Sequence, residues 1–286
     1  MRILFFGLGY SAKASAQFLS GRTPRPHVTG TTRGTSTLEG DVPMLHFDGA
    51  APAEAVGAAL RNGLSHVVAS IAPDASGDPA LRHHRPDLDA NPDLEWLCYY
   101  STVGVYGDHD GGWIDESAPL EPRNERSRQR VRAEAEWQDY ARARGVPLLI
   151  LRLAGIYGPG RSAFDKLADG TARRVIKPGQ VFNRIHVDDI GRVTGLAAEQ
   201  KLAGIFNLAD DEPAPPQDVV SHAAGLIGTE PPPAIAFEQA DFTPMQRSFY
   251  SDNKRVSNAA IKRAVGLDLL YPTYREGLAA ILASER

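Results

Sequence analysis

The opening of the chain constrains its fold more than any other stretch, because an apolar run passes through a glycine turn into a helical pattern. Residues 2–6 (RILFF) are apolar and typical of a β-strand that ends at Gly7. Residues 11–20 then place apolar side chains, among them Ala12 and Leu19, at helical spacing. The sequence therefore begins with the strand, turn and helix of an α/β unit.

The same alternation continues through the first half of the chain. Short apolar runs recur between helical stretches, as expected of strands in a parallel sheet that helices cover on both faces. We predict strands at 27–32, 43–47, 66–71, 94–101 and 147–153, and helices at 52–62 and 133–144. The predicted fold class is α/β, with a Rossmann-type sheet.

Charge and composition narrow the class of partner. The chain has 286 residues, with 31 Lys and Arg against 35 Asp and Glu, and a formal net charge of -4. This balance gives no overall attraction to nucleic acid or to an anionic membrane surface. We therefore expect a small-molecule substrate, no nucleic acid and no membrane.

Three features point to the cytoplasm. The single cysteine, Cys98, cannot form an intrachain disulfide and reads as a buried thiol in a reducing compartment. The apolar opening is too short for a secretory signal. No window approaches the roughly 18–20 apolar residues of a membrane span.

The glycine turn fits the pattern G-x-G-x-x-G/A with Gly7, Gly9 and Ala12. The first glycine allows the tight turn, the second lets the backbone approach a pyrophosphate, and the small third residue lets helix and strand pack closely. Tyr10 and Ser11 complete the helix N-terminus, whose N–H groups attract phosphate. These five residues are candidate cofactor-binding residues, and a tight turn without a ligand is the alternative.

The end of the second strand predicts which dinucleotide binds. A site selective for NAD carries an acidic residue there for the ribose 2'-hydroxyl. This chain carries Thr31, Thr32 and Arg33 instead. Because a guanidinium can pair with a 2'-phosphate, Thr32 and Arg33 favour NADP over NAD. The alternative for Arg33 is a solvated loop arginine.

Four further motifs, in order along the chain, carry a resemblance to a known superfamily. They are YYSTVGVYGD at 99–108, LRLAGIYGPGR at 151–161, NRIHVDDIG at 183–191 and FNLADDEP at 206–213. With the glycine turn, they make the chain similar to atypical members of the extended short-chain dehydrogenase/reductase superfamily, the NAD-dependent epimerases and dehydratases that act on nucleotide sugars. The resemblance covers nearly the whole chain. It implies a doubly wound parallel sheet with a small C-terminal substrate lobe.

The expected domain limits follow from this resemblance. The dinucleotide-binding Rossmann domain covers 1–155, with 183–210 returning to it. The substrate lobe takes mainly 156–182 and 211–286. A change of pattern after Ala154, where glycine and proline recur, agrees with this boundary.

The resemblance also assigns roles at the end of the fifth strand. In the superfamily this motif ends with a serine or threonine whose hydroxyl hydrogen-bonds the reacting oxygen of the substrate. That role falls on Thr102, with Ser101 beside it as a substrate contact, and Tyr106 forms a wall of the site. The alternative is that Thr102 only caps the strand.

The superfamily's acid is a tyrosine four residues before a lysine that lowers its pKa and holds the nicotinamide ribose. Counting back from Glu134, which matches the glutamate of the family's helix, the tyrosine position falls on Arg126 and the lysine position on Arg130. Arginine stays protonated and is a poor proton donor or acceptor. The chain therefore lacks the usual Tyr-x-x-x-Lys pair.

Arg126 and Arg130 lie four residues apart on one helix face, within a run that also holds Arg123, Arg128 and Arg132. As a solvated basic face, the run needs no function. If the helix lies where the superfamily places it, Arg130 could hold ribose or phosphate oxygens, and Arg126 could bind an anionic group or polarise a carbonyl. A nucleic-acid patch is less favoured, because no aromatic residues are interleaved.

Three further candidates lie later in the chain. Tyr157, beyond a strand end, could replace the missing proton donor. Arg184 and Arg247 are candidate substrate contacts, with a solvated side chain as the alternative for each. The sequence IHVDD at 185–189 predicts a helix cap and no metal site, because no second histidine or cysteine cluster supports one.

These residues favour an NADP-dependent oxidoreductase or epimerase-like enzyme acting on a small polar substrate, anionic or resembling a sugar nucleotide. Thr102 would orient the substrate, and Arg126 or a nearby tyrosine would replace the usual acid. The alternative is a catalytically inactive NADP-binding sensor or regulatory protein. The sequence leaves the oligomeric state open, a homodimer included.

Overall fold

The computed structural model describes residues 1–284, apart from the side chains of residues 244 and 245. The strands are β1 (Arg2–Phe6), β2 (His27–Thr32), β3 (Leu38–Glu39), β4 (Val42–His46), β5 (His66–Ala69), β6 (Trp96–Thr102), β7 (Trp113–Ile114), β8 (Leu148–Leu153), β9 (Gly155–Tyr157), β10 (Arg174–Ile176), β11 (Arg184–His186), β12 (Gly204–Leu208), β13 (Ala234–Ala236) and β14 (Arg255–Val256). The α-helices are α1 (Tyr10–Ser20), α2 (Glu54–Arg61), α3 (Pro79–Asp89), α4 (Glu125–Arg144), α5 (Ala163–Ala168), α6 (Val187–Gln200), α7 (Pro216–Leu226), α8 (Pro244–Phe249), α9 (Ala259–Val265) and α10 (Tyr274–Ser284).

Eight strands form one sheet in the order β12-β8-β6-β5-β1-β2-β4-β3. β1 pairs in parallel with β2 and β5, as do β2 with β4 and β5 with β6, whereas β3 is an antiparallel edge on β4. The order runs outwards from β1 in two directions, which confirms the Rossmann-type doubly wound sheet. Because parallel strands point the same way, the turns after β1, β2, β5 and β6 leave from one edge of the sheet.

Helices cover one face of the sheet through a large apolar core. Alternate residues of the central strands, such as Phe6 of β1 and Tyr99 of β6, point to this face. They are buried with Val56 of α2, Leu88 of α3 and Trp137 of α4. Only alternate residues of each strand belong to this core, so the continuous apolar runs in the sequence require that the other face is covered as well.

The opposite face is covered by α1 and α6. The hydroxyl of Tyr100, on the other side of β6, lies 2.7 Å from Ser15 Oγ of α1 and 2.8 Å from Thr194 Oγ1 of α6. A Cβ added at Gly191 of α6 would lie 2.5 Å from the carbonyl oxygen of Ala14. Glycine therefore lets α6 approach α1 closely, and helices cover both faces as the sequence predicted.

The chain divides into two compact units. Unit 1 comprises residues 1–105, 125–152 and 190–206, and it holds nearly all of the eight-stranded sheet. Unit 2 comprises 106–124, 153–189 and 207–286, and α5, α7 and α10 pack there around a smaller core. No helix within residues 1–284 is both long and apolar enough to cross a membrane.

Within residues 1–155, two helices differ from the sequence-based prediction. α4 begins at Glu125 rather than at residue 133, and α3 was not predicted. The first turns of α4 are rich in arginine and carry few apolar side chains, so they lack the apolar repeat that marks a helix. α3 is also mostly polar and contains a proline, Pro86, so it too lacks the sequence pattern of a helix.

Candidate functional site

The turn between β1 and α1 is tight and is held from two sides. Gly7 has φ +82°, and a Cβ there would lie 2.9 Å from Cγ1 of Ile71. Its N–H donates to Oγ1 of Thr31 at 2.8 Å, and its carbonyl oxygen accepts from the hydroxyl of Ser70. β2 and the loop after β5 therefore fix the turn in a conformation that favours glycine.

The next glycine leaves open space at the start of α1. Gly9 is the N-cap residue with φ −85°, and no atom lies within 4 Å of a Cβ built on it. Within the described chain, α1 has no side-chain N-cap bond and no acidic residue in its first turn. Ala12 is buried against the sheet. The N–H groups and partial positive charge of this helix end therefore suit a phosphate group.

The turn after β2 carries Arg33 at the same edge of the sheet. Arg33 is exposed, and the turn is closed by a hydrogen bond of 3.1 Å from the N–H of Gly34 to Oγ1 of Thr32. Because β1 and β2 are parallel neighbours, this guanidinium and the glycine turn follow adjacent strand ends. The turn thus places the guanidinium of Arg33 where a site selective for NAD carries an acidic residue for the ribose 2'-hydroxyl.

β6 ends in two hydroxyl residues with different surroundings. Oγ1 of Thr102 accepts a hydrogen bond of 3.1 Å from the N–H of Gly104, so its own O–H hydrogen can be donated. The hydroxyl of buried Ser101 donates instead to Oε1 of Glu134 at 2.5 Å. A substrate contact at Ser101 stays a prediction. In this structure the hydroxyl hydrogen of Ser101 is donated to Glu134.

Gly104 brings the start of α4 against the end of β6. A Cβ at Gly104 would lie 3.0 Å from Oγ of Ser127 and 3.4 Å from Oγ1 of Thr102. The hydroxyls of Thr102 and Ser127 therefore both lie next to Gly104. The sequence did not single out Ser127, because a serine between two arginines carries no pattern of its own.

A buried ion pair joins β6, α4 and β8. Oε1 of Glu134 accepts from Nε of Arg152 at 3.1 Å and Oε2 accepts from Nη2 at 2.7 Å, and the two residues are 1% and 3% exposed. With the Ser101 bond, the carboxylate is satisfied on both oxygens. This pair fixes α4 at the end of the sheet.

The two arginines that the sequence comparison predicts at the tyrosine and lysine positions lie in different surroundings. Arg126 is exposed in the first turn of α4. Nη1 of half-buried Arg130 donates to the hydroxyl of Tyr99 at 3.1 Å and to the carbonyl oxygen of Tyr100 at 2.6 Å. Its Cζ lies 5.7 Å from the centroid of the Tyr99 ring. Arg130 is thus held against β6, whereas Arg126 is reachable from solvent.

The other arginines of the run have partners of their own. Arg123, which belongs to unit 2, forms an ion pair of 3.3 Å with Asp108, and Arg128 forms one of 2.9 Å with Glu125. Nη1 of Arg132 donates to the carbonyl oxygen of residue 75 at 2.7 Å. The run is therefore not one uniform basic face.

Two tyrosines predicted for the site lie in unit 2 and are buried. The hydroxyl of Tyr106 donates to Oδ1 of Asn207 at 2.7 Å. The hydroxyl of Tyr157 donates to the carbonyl oxygen of Thr273 at 3.3 Å, and its ring packs edge-on against His186 at 5.1 Å. Burial raises the pKa of Tyr157, and nearby Asp210 raises it further.

Arg184 of unit 2 lies next to a buried carboxyl that the sequence did not single out. Nη1 of Arg184 donates to the carbonyl oxygens of Phe182 at 2.9 Å and Ala214 at 3.1 Å. Asp210 is 1% exposed, and within residues 1–284 neither of its carboxyl oxygens has a hydrogen bond of good geometry. Burial raises the pKa of Asp210 to about 8, although Arg184 and the backbone N–H of Glu212 oppose this shift.

The IHVDD stretch starts α6 but its second aspartate binds elsewhere. Both carboxyl oxygens of Asp189 accept backbone N–H groups, from Leu270 at 2.6 Å and Tyr271 at 3.0 Å. The N–H of Asp188 donates to Nδ1 of His186 at 3.2 Å. Asp189 therefore fastens the loop before α10, and among residues 1–284 no group of three His, Cys, Asp or Glu is arranged to hold a metal ion.

Arg247 is an exposed residue of α8 in unit 2. Its Cζ lies 5.4 Å from the ring centroid of Phe237 and 5.7 Å from that of Phe242. These cation–π contacts place the guanidinium over a small aromatic cluster. A substrate contact at Arg247 stays a prediction.

Comparison with known proteins agrees with this geometry. Residues 88–209 match the sequence model of the NAD dependent epimerase/dehydratase family. A curated relative, the 3-diazoavenalumate denitrifying reductase of a Streptomyces species, is 29% identical over 181 residues. The match covers 58% of this chain and 58% of that protein, so the chain spans less than two thirds of the relative's length.

Two solved structures resemble the whole chain. A functionally unknown conserved protein from Silicibacter pomeroyi is 43% identical with a TM-score of 0.88, and the match covers 100% of this chain and 99% of that one. A candidate NAD-dependent epimerase/dehydratase from Methylobacillus flagellatus is 26% identical with a TM-score of 0.77, over 100% and 98% of the two chains. The family match over residues 88–209 and the Methylobacillus structure confirm the resemblance found in the sequence to the NAD-dependent epimerases and dehydratases of the short-chain dehydrogenase/reductase superfamily.

Proposed function

We propose that the chain is an NADP-dependent oxidoreductase or epimerase-like enzyme acting on a small polar substrate, anionic or resembling a sugar nucleotide. One observation supports this most directly. The parallel strands β1, β2 and β6 bring the open glycine turn, Arg33 and Thr102 to one edge of the sheet. Ligands of doubly wound folds bind at this edge.

The residues present fit a dinucleotide with a 2'-phosphate. The space beside Gly9 and the N-terminus of α1 suit the pyrophosphate. The exposed guanidinium of Arg33 can pair with the 2'-phosphate through charge-assisted hydrogen bonds. Arg130 can offer N–H groups to ribose or phosphate oxygens. When bound, the nicotinamide exchanges hydride with the substrate.

Thr102 and Arg126 supply the substrate contacts in this proposal. The O–H of Thr102 donates to the reacting oxygen of the substrate, and Arg126 pairs with an anionic group or polarises a carbonyl. A hydroxyl and a guanidinium are both poor general acids. Tyr157 is a weak replacement for the missing acid, because its pKa is raised and its hydroxyl donates to Thr273.

The test of the cofactor is calorimetric titration of the full chain with NADPH and NADH at one salt concentration. For Arg33→Glu we expect the affinity for NADPH to fall about ten-fold or more, the size of one lost charge-assisted contact, and the affinity for NADH to change little. Arg142→Glu, which makes the same charge change at an exposed residue of the last turn of α4, is the control. An equal loss for both dinucleotides in Arg33→Glu contradicts the 2'-phosphate role.

A catalytically inactive NADP-binding sensor is the second candidate, because arginines stand at both positions of the usual Tyr-x-x-x-Lys pair. The curated relative is named a reductase, so oxidation of NADPH with 3-diazoavenalumate is the first reaction to measure. A panel of anionic carbonyl compounds and sugar nucleotides follows. Turnover that Arg126→Ala removes without changing NADPH affinity supports an enzyme. Tight NADPH binding with no turnover on any of these compounds favours the sensor.

A further inference from the structure

The contact between Tyr99 and Arg130 is the feature that the proposed function leaves unexplained. Tyr99 is 0% exposed and lies on the face of β6 that α2, α3 and α4 cover, where its ring stacks on Trp137 with centroids 6.4 Å apart. Its hydroxyl accepts from Nη1 of Arg130 at 3.1 Å. A buried phenol is costly unless its oxygen finds a hydrogen-bond partner. Here the partner is the guanidinium at the position where the family has lysine.

Tyr99 cannot itself act on a ligand. It has no exposed surface, and burial raises the pKa of its phenol well above the usual value, with Arg130 opposing the shift. The phenol therefore stays neutral and inside the core. Any effect of Tyr99 on the site must pass through Arg130.

The hydrogen bonds of Arg130 divide its guanidinium into two parts. Nη1 donates both to the Tyr99 hydroxyl and to the carbonyl oxygen of Tyr100 at 2.6 Å, which uses both of its hydrogens. Nε and Nη2 carry the remaining donors. Because a guanidinium is planar and rigid, holding Nη1 also fixes the direction of the other edge. A lysine ammonium in the same place would have to divide three donors on one nitrogen between β6 and a ligand.

We propose that Tyr99 is a positioning residue for cofactor binding: with the carbonyl of Tyr100, it holds Nη1 of Arg130 so that the Nε and Nη2 edge faces the oxygens of the dinucleotide. This inference rests on the proposed binding of NADP by Arg130. It assigns a function to the tyrosine three residues before Thr102 and explains how arginine can replace the usual lysine.

The test measures the affinity for NADPH by calorimetry in the full chain. Tyr99→Phe removes only the phenol oxygen and keeps the ring against Trp137. We expect the affinity to fall about ten-fold, as for loss of one charge-assisted hydrogen bond. Tyr140→Phe is the matched control, because Tyr140 is also 0% exposed and contacts Trp137 edge-on at 6.1 Å, but its hydroxyl lies near Arg144 and Asp89. We expect NADPH affinity of this control to equal that of the parent chain.

A double-mutant cycle separates positioning from general stability. In the Arg130→Ala background, Tyr99→Phe is expected to have no further effect on NADPH affinity, although both variants lower thermal stability. Additive losses, or normal NADPH affinity in Tyr99→Phe beside weak affinity in Arg130→Ala, overturn the positioning role. Normal affinity in Arg130→Ala overturns the role of Arg130 on which it rests, and no NADPH binding by the parent chain overturns the proposed function itself.

A measurement on the parent chain covers the case in which Tyr99→Phe does not fold. Nuclear magnetic resonance of arginine labelled with ¹⁵N is expected to show restricted rotation of the Arg130 guanidinium, with contacts from its N–H protons to the Tyr99 ring. NADPH should then shift the Nε signal. A freely rotating guanidinium in the absence of the dinucleotide contradicts the inference.

Discussion

At the scale of single residues, the two glycines of one turn differ in what we expect of them: Gly7 is needed for the fold, and Gly9 for cofactor binding. Gly7 has φ +82° and a neighbouring carbon 2.9 Å from where a Cβ would stand, whereas Gly9 has φ −85° and open space. Gly7→Ala must strain the backbone and displace Ile71. Gly9→Ala needs neither change, but its methyl group occupies the space that a pyrophosphate would take.

We therefore expect the two alanine variants to differ in kind. Gly7→Ala should lower the free energy of unfolding by about 1–3 kcal/mol. Gly9→Ala should change it by less than about 1 kcal/mol and still weaken NADPH binding at least ten-fold. Urea denaturation and calorimetric titration measure the two effects. Unchanged NADPH affinity in a folded Gly9→Ala chain would show that no phosphate approaches this glycine.

At the scale of elements, α4 carries two sets of side chains on different sides. Residues two positions apart on a helix are rotated by about 200°, so Arg126 and Arg130 lie on one side and Arg128 and Arg132 on the other. Arg130 contacts β6, whereas Arg132 contacts the carbonyl of residue 75 in the loop before α3. The arginine run therefore contains two pairs that face different sides of α4.

The buried ion pair of Glu134 and Arg152 predicts how much the free energy of unfolding depends on the carboxylate of Glu134 in α4. Glu134→Gln keeps the shape of the side chain but leaves the charge of Arg152 buried without its partner. We expect unfolding free energy to fall by about 3–5 kcal/mol, as for other broken buried pairs. Urea denaturation measures it, and Asp139→Asn, which breaks an exposed ion pair with Arg142 on the same helix, is the comparison. A loss below about 1 kcal/mol in Glu134→Gln would mean that the pair is accessible to water.

The sequence predicts α1 and the central strands well, because burial in α1 follows the helical period and the central strands are short apolar runs buried at nearly every position. It fails at α3 and at the start of α4, where few apolar residues occur among the polar ones. The motif spacing singled out Thr102 and Arg130 as candidate site residues, and their roles stay predictions. It could not show that Arg130 donates a hydrogen bond to the hydroxyl of Tyr99, or that Ser101 donates one to Glu134. These contacts join residues 31 and 33 positions apart and depend on the packed sheet.

Asp78 makes the start of α3 sensitive to pH. Its Oδ1 accepts the N–H groups of Ala80 at 2.9 Å and Leu81 at 3.2 Å, yet burial raises its pKa from 3.8 to about 6, with Glu136 adding to the shift and Trp137 opposing it. A raised pKa in the folded state means that the neutral carboxyl is favoured. Stability from this group is complete below about pH 4 and is lost as pH rises through about 6.

Asparagine is an equally good N-cap residue and carries no charge. We therefore expect the unfolding free energy of Asp78→Asn to fall less than that of the parent chain between about pH 4 and pH 6. The difference is about 3 kcal/mol, at roughly 1.4 kcal/mol per unit of pKa. Denaturant titrations at a series of pH values measure it. If the unfolding free energies of the two chains changed with pH in parallel, the ionisation of Asp78 would cost the folded state no stability.

At the scale of the whole molecule, neither unit is a continuous stretch of chain. Unit 1 is assembled from residues 1–105, 125–152 and 190–206, and unit 2 from the segments between and after them. Each unit nevertheless has its own apolar core, with Trp137 in unit 1 and Tyr274 in unit 2. Each also buries one carboxyl with a raised pKa, Asp78 in unit 1 and Asp210 in unit 2.

The raised pKa of Asp210 predicts a second and wider pH range over which the stability of the chain changes, and Asp210 lies in unit 2. Burial raises its pKa from 3.8 to about 8, so stability from the neutral carboxyl is complete below about pH 4 and is lost as pH rises through about 8. Between about pH 6.5 and pH 8 the Asp78 contribution no longer changes, and we expect the parent chain to lose stability on the order of 2 kcal/mol there, at roughly 1.4 kcal/mol per unit of pH. Asp210→Asn should remove this loss, whereas Asp78→Asn should keep it. An equal slope in the parent chain and in Asp210→Asn over this range, measured by denaturant titration, would mean that Asp210 is already ionised beside Arg184.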